Sequence, residues 1–377
     1  MTSENMSAEE RVWAAIKFEN PDRTPVGPHL HGAAAAELTG RSQASIAFDH
    51  HETHQAELEV FDKFGGWDFM YMPMPSPGAI IPMLGMKVKL PGRDLPDDVP
   101  YQVIEEEVMT VEDYDAVIEG GWNDFLMGDL LHRVEQDERV FEALGDRFQI
   151  IGEVMDNWEE REVYYSDGSL VGGNHPFFSL SLARSMTKFT EDLYYRPDLV
   201  KKALDVMVKE SIETFLERAK YRETRVAVLI EERASGYFFP LRIFDKFWWE
   251  YTRQIIDALW SEGMTTVFHL DTSWDKNIHY FKKLPKHSAV LHFDSTTDIF
   301  TAIDVLSNHL CVMGDVNASL LSIGQPEEVE AYVKRLIDKA GPRGGLIVSS
   351  GCDVPVNVKA ENLQAMLDTA KNYKPKI

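Results

Sequence analysis

Side chains that bind metals or move protons stand directly after several short apolar runs of this sequence. His269 and Asp271 close the run 267–271, and Cys352 follows the run 346–348. Imidazole, thiolate and carboxylate groups all bind zinc, and a catalytic zinc site usually has three protein ligands and one open position. Because His269 and Asp271 are two residues apart, an extended strand places both side chains on one face. These three residues are therefore a candidate zinc site.

Two glutamates and several other polar residues occupy equivalent positions. Glu231 and Glu232 follow the apolar run 226–230, and either can complete the ligand set or act in acid–base catalysis. His50 and His54 are one helical turn apart but lack the spacing of the zinc-protease motif, so they are interpreted as part of a solvated helix face. The remaining polar residues after predicted strands are His29, His31, His292, Asp294, Asp315 and Asn317.

Short β-rich runs alternate with amphipathic helical segments along most of the chain. Helical spacing of apolar residues predicts helices over 197–219 and 326–340, the second with Pro326 in its first turn and Gly341 just past its end. The predicted strands are 24–28, 67–72, 150–154, 170–173, 227–231, 266–270, 290–293, 311–314 and 345–349.

This alternation predicts a parallel sheet with crossover helices. About eight strand–helix units without a dinucleotide-binding motif favour an α/β fold of the (β/α)8 TIM-barrel class. Residues 86–109, rich in Pro, Gly and Asp between two extended runs, interrupt the alternation and are predicted to form an inserted β-hairpin. The simplest organisation is one barrel domain over residues 1–377. Catalytic residues of such barrels lie at the C-terminal ends of the strands, where the candidate ligands are.

Charge and composition restrict the class of partner. The 377 residues carry 38 Lys and Arg against 62 Asp and Glu, a formal net charge of −24, so nucleic acid and anionic membranes are unfavourable partners. Two cysteines, Cys311 and Cys352, are too few for a disulfide framework, and Cys311 at a strand start is predicted to be core. No signal peptide or membrane-spanning run is apparent, so we expect a cytoplasmic protein. Whether it forms a homo-oligomer is left open.

Taken together, several segments resemble the uroporphyrinogen decarboxylase superfamily, and in particular its cobalamin-dependent methyltransferase branch. The start, 18–26, is similar to that superfamily's entry into the first barrel strand, and 174–177 to its Gly-Pro-Phe turn. The resemblance covers nearly the whole chain and is most specific in the last third. The segments that carry it there are 313–317, 324–329, 344–347, 351–355 and 361–363.

The resemblance implies a TIM barrel and, for the thiol-methylating members, zinc held by a His-x-Cys pair and a later Gly-Cys. This chain has His269 and Cys352 at the matching positions but Asp271 in place of the paired cysteine. It also has no arginine in 27–35, where the decarboxylase grips the carboxylates of its substrate. Replacing a thiolate by a carboxylate hardens the site, and a harder zinc is a better Lewis acid toward an oxygen.

The resulting hypothesis is a corrinoid-dependent, zinc-assisted methyltransferase. Zinc would polarise a methyl ether, with an aryl donor preferred over an alkyl donor, while the Co(I) corrinoid of a partner carrier protein attacks the methyl carbon. The assigned roles are His269, Asp271 and Cys352 as metal ligands, and Glu231, His269 and Asp271 as catalytic residues. An apolar pocket for the small-molecule methyl donor is predicted from four aromatic residues, Phe177, Phe178, Tyr237 and Phe238.

Three alternatives remain at this stage. Transfer from methylcobalamin to a thiol or a folate is consistent with His269 and Cys352, although the loss of the cysteine at 271 counts against a thiol. A decarboxylase lacks its arginines. A barrel without catalytic activity that binds a corrinoid protein is also consistent with the sequence.

Overall fold

The parallel β-strands follow one another around a barrel in chain order. The computed structural model describes residues 5–75, 77–166, 174–222 and 224–375. The strands in these ranges are β1 (Phe69–Met70), β2 (Lys87–Lys89), β3 (Gln102–Ile104), β4 (Tyr164–Tyr165), β5 (Val226–Glu231), β6 (Thr265–Leu270), β7 (Ala289–Phe293), β8 (Cys311–Val316) and β9 (Leu346–Ser350).

Parallel pairing connects these strands as a barrel requires. Strands β5 to β9 form one sheet in sequence order. Val26 then bridges in parallel to Val348 of β9, and its carbonyl oxygen accepts hydrogen bonds from the amides of Asp68 and Phe69 at the start of β1. Strand β1 pairs in parallel with β4. The predicted α/β barrel class is confirmed by this order.

Helices occupy the connections between the strands. Among the described residues, none of them has both the length and the apolar character needed to cross a membrane. Short 3-10 and π segments lie at Gly78–Leu84, Leu126–Leu130 and Asp245–Trp249. The α-helices are α1 (Ala8–Lys17), α2 (Gly32–Thr39), α3 (Gln43–Ile46), α4 (His50–Lys63), α5 (Asp113–Gly120), α6 (Trp122–Phe125), α7 (Leu131–Val134), α8 (Glu138–Glu160), α9 (Pro176–Ala183), α10 (Met186–Tyr195), α11 (Pro197–Arg222), α12 (Leu241–Phe244), α13 (Glu250–Ser261), α14 (Ile278–Phe281), α15 (Ile299–Leu306), α16 (Ala318–Ile323), α17 (Pro326–Ala340) and α18 (Ala360–Asn372).

The alternation of side chains along each strand separates two apolar cores. In β5, Val228 and Ile230 belong to the cluster inside the barrel, whereas Ala227 and Leu229 pack in the larger cluster between strands and helices. Because successive strand residues point to opposite faces, Glu231 at the end of β5 belongs to the outer set. The same period places His269 of β6 inside the barrel, at its C-terminal end.

The predicted hairpin insertion is present. Strands β2 and β3 pair antiparallel, with Val88 opposite Val103. Glu105, just beyond β3, forms a bidentate ion pair with Arg233, at 2.9 and 3.0 Å, in the loop that follows β5. This ion pair ties the hairpin to the C-terminal end of the barrel.

One predicted strand is wrong and another was not recognised. Residues 150–154 lie within helix α8, whose buried face includes Val140, Leu144, Ile150, Val154 and Trp158 at helical spacing. A short apolar run cannot by itself distinguish a strand from part of a buried helix, and the longer periodicity decides here. The missed strand is β4, which has only two residues. The predicted strand 170–173 lies outside the described residues.

The solvated helix face expected at His50 and His54 is also wrong. Both side chains are buried where α4 packs against α8, and only His51 is exposed. Burial lowers the pKa of His50 and of His54 to about 4, so both rings are neutral at physiological pH. Glu57, one turn further along α4, is buried with them, and burial raises its pKa well above the ordinary value.

Glu57 therefore makes the stability of the fold depend on pH. Its folded-state pKa is raised, so its contribution to stability is complete below its unfolded pKa of about 4.3 and is lost as pH rises toward the folded value. Glu57→Gln, which mimics the protonated form, should remove this loss. Between pH 5 and 8 we expect the variant to become progressively more stable than the wild type, by at most about 1.4 kcal/mol per pH unit.

Urea unfolding at several pH values measures this difference. Glu37→Gln, at an exposed position on α2, is the matched control. A constant difference in unfolding free energy between Glu57→Gln and wild type across this range would contradict the protonated state of Glu57.

Candidate functional site

The three candidate metal ligands meet at the C-terminal end of the barrel. His269 Nε2 lies 3.3 Å from Asp271 Oδ1, and Cys352 Sγ lies 3.5 Å from both His269 Nε2 and Asp271 Oδ2. His269 is buried, whereas Asp271 and Cys352 are partly exposed. The set therefore has a protected side within the barrel and an open side toward solvent.

These separations agree with the donor geometry of a tetrahedral zinc site. Zinc bonds of about 2.0–2.2 Å to nitrogen and oxygen and 2.3 Å to sulfur place tetrahedral N and O ligands about 3.4 Å apart, and N and S ligands about 3.6 Å apart. The His269–Cys352 and His269–Asp271 separations are within about 0.1 Å of these values. Asp271 contacts His269 through Oδ1 and Cys352 through Oδ2, so its side chain would have to turn to offer one oxygen to a metal shared with both. His29 also offers a ligand atom within 4.8 Å of those of His269 and Cys352. One nitrogen, one oxygen and one sulfur donor suit a borderline metal such as zinc. The residues present therefore fit this metal.

A second histidine determines which nitrogen of His269 is free. His292 Nε2 donates a hydrogen bond to the Ser350 carbonyl oxygen at 2.8 Å, so the neutral His292 ring accepts at Nδ1. His269 Nδ1 lies 2.9 Å from that atom and must donate to it. This assignment from the hydrogen-bond network leaves the lone pair of His269 at Nε2, directed at Cys352 and Asp271.

The strands place the two rings side by side because His269 and His292 are paired residues of β6 and β7. Burial lowers the pKa of His292 to about 3 and also lowers the pKa of His269. Both rings are consequently neutral at physiological pH. A neutral imidazole is the form that binds a metal.

Loop contacts position the other two ligands. Gly351 passes so close to the backbone of Asp294 that a Cβ at 351 would lie 2.9 Å from its carbonyl carbon, which places Cys352 over the end of β7. Asp294 Oδ2 accepts from the amide of Thr272 at 2.8 Å. Thr272 follows Asp271 and has a φ of +65°, a strained conformation for a β-branched residue. Strain held by these contacts is consistent with a functional constraint at Asp271.

The structure distinguishes the two candidate glutamates. Glu231 is fully buried behind β5, where its carboxyl oxygens accept from Trp248 Nε1 at 2.6 Å and the Arg233 amide at 3.0 Å. Glu232 instead groups with His269 and Asp271, with one potential ligand atom of each within 4.8 Å of the others. Glu231, for which a catalytic role was predicted, lies in the helix layer behind β5. Glu232 lies beside the candidate ligands His269 and Asp271.

Burial and mutual repulsion of carboxylates dominate the electrostatics of this site. Burial, together with nearby Asp271, raises the pKa of Glu232 to about 7. Burial, together with Asp294, raises the pKa of Asp271 to about 7. Burial also raises the pKa of the Cys352 thiol. A bound divalent cation would reverse these shifts because it stabilises the ionised ligands.

Several residues near the site were not assigned a role from the sequence. His29 and Asp353 adjoin it, and the Tyr71 hydroxyl lies 3.3 Å from His269 Nδ1. Burial raises the pKa of Tyr101, beside β3, and the charges of Asp353 and Glu232 raise it as well. Position at a strand end marked His29 and His292 as candidates, but nothing in the local pattern identified Tyr101.

The four predicted pocket aromatics do not line one cavity. Phe177 is buried in the outer core, with its ring centroid 4.8 Å from Phe189 and 5.7 Å from Phe239. Phe178 packs in the barrel interior. Tyr237 and Phe238 contact each other in the loop after β5 and are 68% and 41% exposed. Beside the candidate ligands, the aromatic ring in contact with His269 is that of Tyr71, which is 1% exposed.

The second half of the chain has a recognisable family profile. The profile of uroporphyrinogen decarboxylase (URO-D) matches residues 175–373, which include His269, Asp271 and Cys352. The chain belongs to the uroporphyrinogen decarboxylase family. Membership in the URO-D family confirms the resemblance noted in the sequence.

Curated relatives of this URO-D family member include two methyltransferases. It is 25% identical to the methylcobamide:CoM methyltransferase MtbA of Methanosarcina mazei over 207 aligned residues. The alignment covers 55% of this chain and 58% of that protein. The MtbA of Methanosarcina acetivorans is 27% identical over 146 residues, covering 39% of this chain and 41% of that protein. The aligned part thus spans between two fifths and three fifths of these relatives.

A solved structure extends the similarity of fold over almost the entire chain. A methyltransferase from Methanosarcina mazei superposes with a TM-score of 0.70 at 15% identity and covers 97% of this chain and 99% of its own. At that identity the similarity concerns the fold. It supports the (β/α)8 barrel of the URO-D family, including the segments outside the family profile.

The contact between His269 and His292 generates a prediction about metal binding. His292→Phe keeps a ring in place but removes the acceptor for His269 Nδ1–H, so the His269 tautomer is no longer fixed. Loss of such a contact to a ligating histidine typically lowers metal affinity by about 10- to 100-fold. Competition with a fluorescent zinc chelator measures the affinity directly. His279→Phe, at an exposed position on α14, is the control, and unchanged affinity in His292→Phe would contradict the positioning role.

Proposed function

We propose that this chain is a corrinoid-dependent methyltransferase that removes the methyl group of an aryl methyl ether and delivers it to the Co(I) corrinoid of a partner protein. The observation that carries the proposal is the position of Asp271 beside His269 and Cys352. Its carboxylate occupies the position of a thiolate in the thiol-methylating branch, and it lies within ligand distance of His269 and Cys352. A site with one thiolate and one carboxylate is harder than a site with two thiolates.

The residues of this chain would divide the work as follows. His269, Asp271 and Cys352 would hold zinc, with His292 keeping the His269 lone pair at Nε2. Zinc bound there would supply Lewis acidity toward an ether oxygen. The corrinoid of the partner would supply the nucleophile for the methyl group.

Glu232 is placed to provide the proton that the departing oxygen requires. A carboxyl oxygen of Glu232 lies within 4.8 Å of ligand atoms of His269 and Asp271, close enough to transfer a proton to an oxygen bound there. The Tyr71 ring, whose centroid is 6.3 Å from that of His269, is 1% exposed and packs against the site from its buried side.

A polycarboxylate substrate, as in a decarboxylase, fits this mouth poorly. Glu232, Asp271 and Asp353 face it, and their like charges raise the pKa values of their neighbours. Arg233, the basic residue that follows Glu232, is already paired with Glu105. Anionic groups of a substrate would meet carboxylates rather than arginines.

Methyl transfer between a corrinoid and a thiol is the second candidate. The name of the MtbA relatives, methylcobamide:CoM methyltransferase, favours it. Asp271 distinguishes ether demethylation from thiol methylation, because the softer His-x-Cys pair binds a thiolate better than a His-x-Asp pair does.

The deciding experiment replaces Asp271 by Cys and thereby restores that pair. With free cob(I)alamin under anaerobic conditions, the wild-type protein should form methylcobalamin from aryl methyl ethers, which the cobalt spectrum follows. Asp271→Cys should retain zinc but lower this rate by about tenfold or more, because a softer metal is a weaker Lewis acid toward oxygen.

Asp275→Cys, which introduces a thiol at an exposed position in the same loop, is the matched control. Wild-type methylation from thioethers or methyl-folate alone would refute the ether assignment and support the second candidate. An undiminished ether rate in Asp271→Cys would show that the carboxylate is not what suits the site to oxygen.

An exposed apolar patch gives the partner protein a place to dock. Tyr237, Phe238 and Leu241, here called the apolar rim, follow β5 at the mouth and are each more than two fifths exposed. Exposed aromatic residues of this kind commonly supply the strongest contacts of protein interfaces. A carrier protein on the rim would bring its corrinoid to the open side of the ligand set.

The rim is tested by replacing Tyr237 and Phe238 together with Ser. Losing two aromatic contacts should raise the Kd for a purified corrinoid carrier protein by about tenfold or more. Phe148→Ser, at an exposed phenylalanine of α8, is the control for lost apolar surface. Carrier binding that is unchanged in the double variant would place the docking surface elsewhere.

A further inference from the structure

Next to the proposed zinc ligands lies a second group of metal-binding side chains. His29 Nε2 is 2.7 Å from His31 Nε2 and 3.1 Å from Asp353 Oδ1. His31 Nδ1 is 3.5 Å from the same carboxylate oxygen. One potential ligand atom from each of the three residues lies within 4.8 Å of the others. The reaction proposed above assigns none of them a role.

The chain is folded so that these three residues must meet. His29 and His31 follow the barrel strand at Val26, and Asp353 follows Cys352 after β9. The amide of Val354 donates to the His29 carbonyl oxygen at 2.8 Å, and the amide of His29 donates to Ser350 Oγ at 3.1 Å. These bonds join the first loop of the mouth to the last. Two residues in sequence, Cys352 and Asp353, thereby face different ligand groups.

The hydrogen bonding of His29 is incomplete in the absence of a cation. The side chain is 4% exposed, and its Nδ1 is buried without a hydrogen-bond partner. Only one proton can lie on the short Nε2–Nε2 contact between the His29 and His31 rings. The ring nitrogens therefore retain lone pairs that a metal can use.

We propose that His29, His31 and Asp353 hold a second divalent transition-metal cation, so that the mouth is a two-metal centre in which Cys352 and Asp353 serve different ions. Two imidazoles and one carboxylate suit zinc and similar first-row cations. The His29–His31 separation would have to widen by about 0.6 Å to reach the spacing of tetrahedral ligands. The partly exposed His31, at the N-terminus of α2, has room for that movement.

Metal stoichiometry tests the second site. The full chain is stripped with a chelator, reconstituted with excess Co²⁺ and desalted, and cobalt is then counted by mass spectrometry while the thiolate-to-cobalt charge-transfer band is recorded. Wild type should bind two equivalents and show the band. His31→Ala and Asp353→Asn should each bind one equivalent and keep the band, since Cys352 still has its metal. Cys352→Ala should lose the band and keep one equivalent.

His51→Ala, at an exposed histidine of α4, should behave as wild type and controls for adventitious binding at the surface. One equivalent in wild type at saturating cobalt would overturn the proposal. So would two equivalents in both His31→Ala and Asp353→Asn. His29 is not used as a diagnostic position because it adjoins both ligand groups.

The inference rests on the first ligand group of the proposed function but not on its methyl donor. If two equivalents bind and aryl ethers are not demethylated, the function assignment fails and the two-metal centre stands. If the protein demethylates ethers but binds only one equivalent of metal, the second metal site is refuted and the proposed function stands.

Discussion

The hydrogen bond between His269 Nδ1 and His292 Nδ1 is the contact on which the site depends. It exists because β6 and β7 pair with these residues side by side, and because the Ser350 carbonyl oxygen already accepts the Nε2 proton of His292. Each ring thus has one assigned proton. The consequence is a lone pair at His269 Nε2 directed at the sulfur of Cys352 and the carboxylate of Asp271, without any protonation change.

Around this pair the protein holds two neighbouring, half-buried carboxyl groups. Glu232 and Asp271 both have a pKa of about 7, chiefly because burial disfavours their ionised forms. Such an arrangement is costly unless cations or protons compensate for it. Outside the mouth, the protein compensates differently: Glu231, with its pKa raised to about 8, accepts two hydrogen bonds in the helix layer.

Much of the barrel could be predicted because its strands carry a strong local signal. The runs ending at Glu231, Leu270 and Phe293 are apolar throughout, as expected for strands covered on both faces. The signal was weaker elsewhere. Residues 150–154 resemble such a run but continue the buried stripe of α8, and the two-residue strand β4 is too short to have a pattern. Similarly, the polar residue types of His50 and His54 predict an exposed helix face, but packing of α4 against α8 buries both side chains.

The sequence by itself determined the chemical types of the proposed ligands and the spacing that places His269 and Asp271 on one side of a strand. The resemblance to the thiol-methylating members implied that Asp271 stands where they have a cysteine. Only the tertiary structure decided that Glu232 rather than Glu231 faces this group, and that His29 and His31 reach Asp353 more than 300 residues away. The physical reason is that strand periodicity is local, whereas proximity across a barrel mouth depends on strand order, register and loop contacts, which no local pattern encodes.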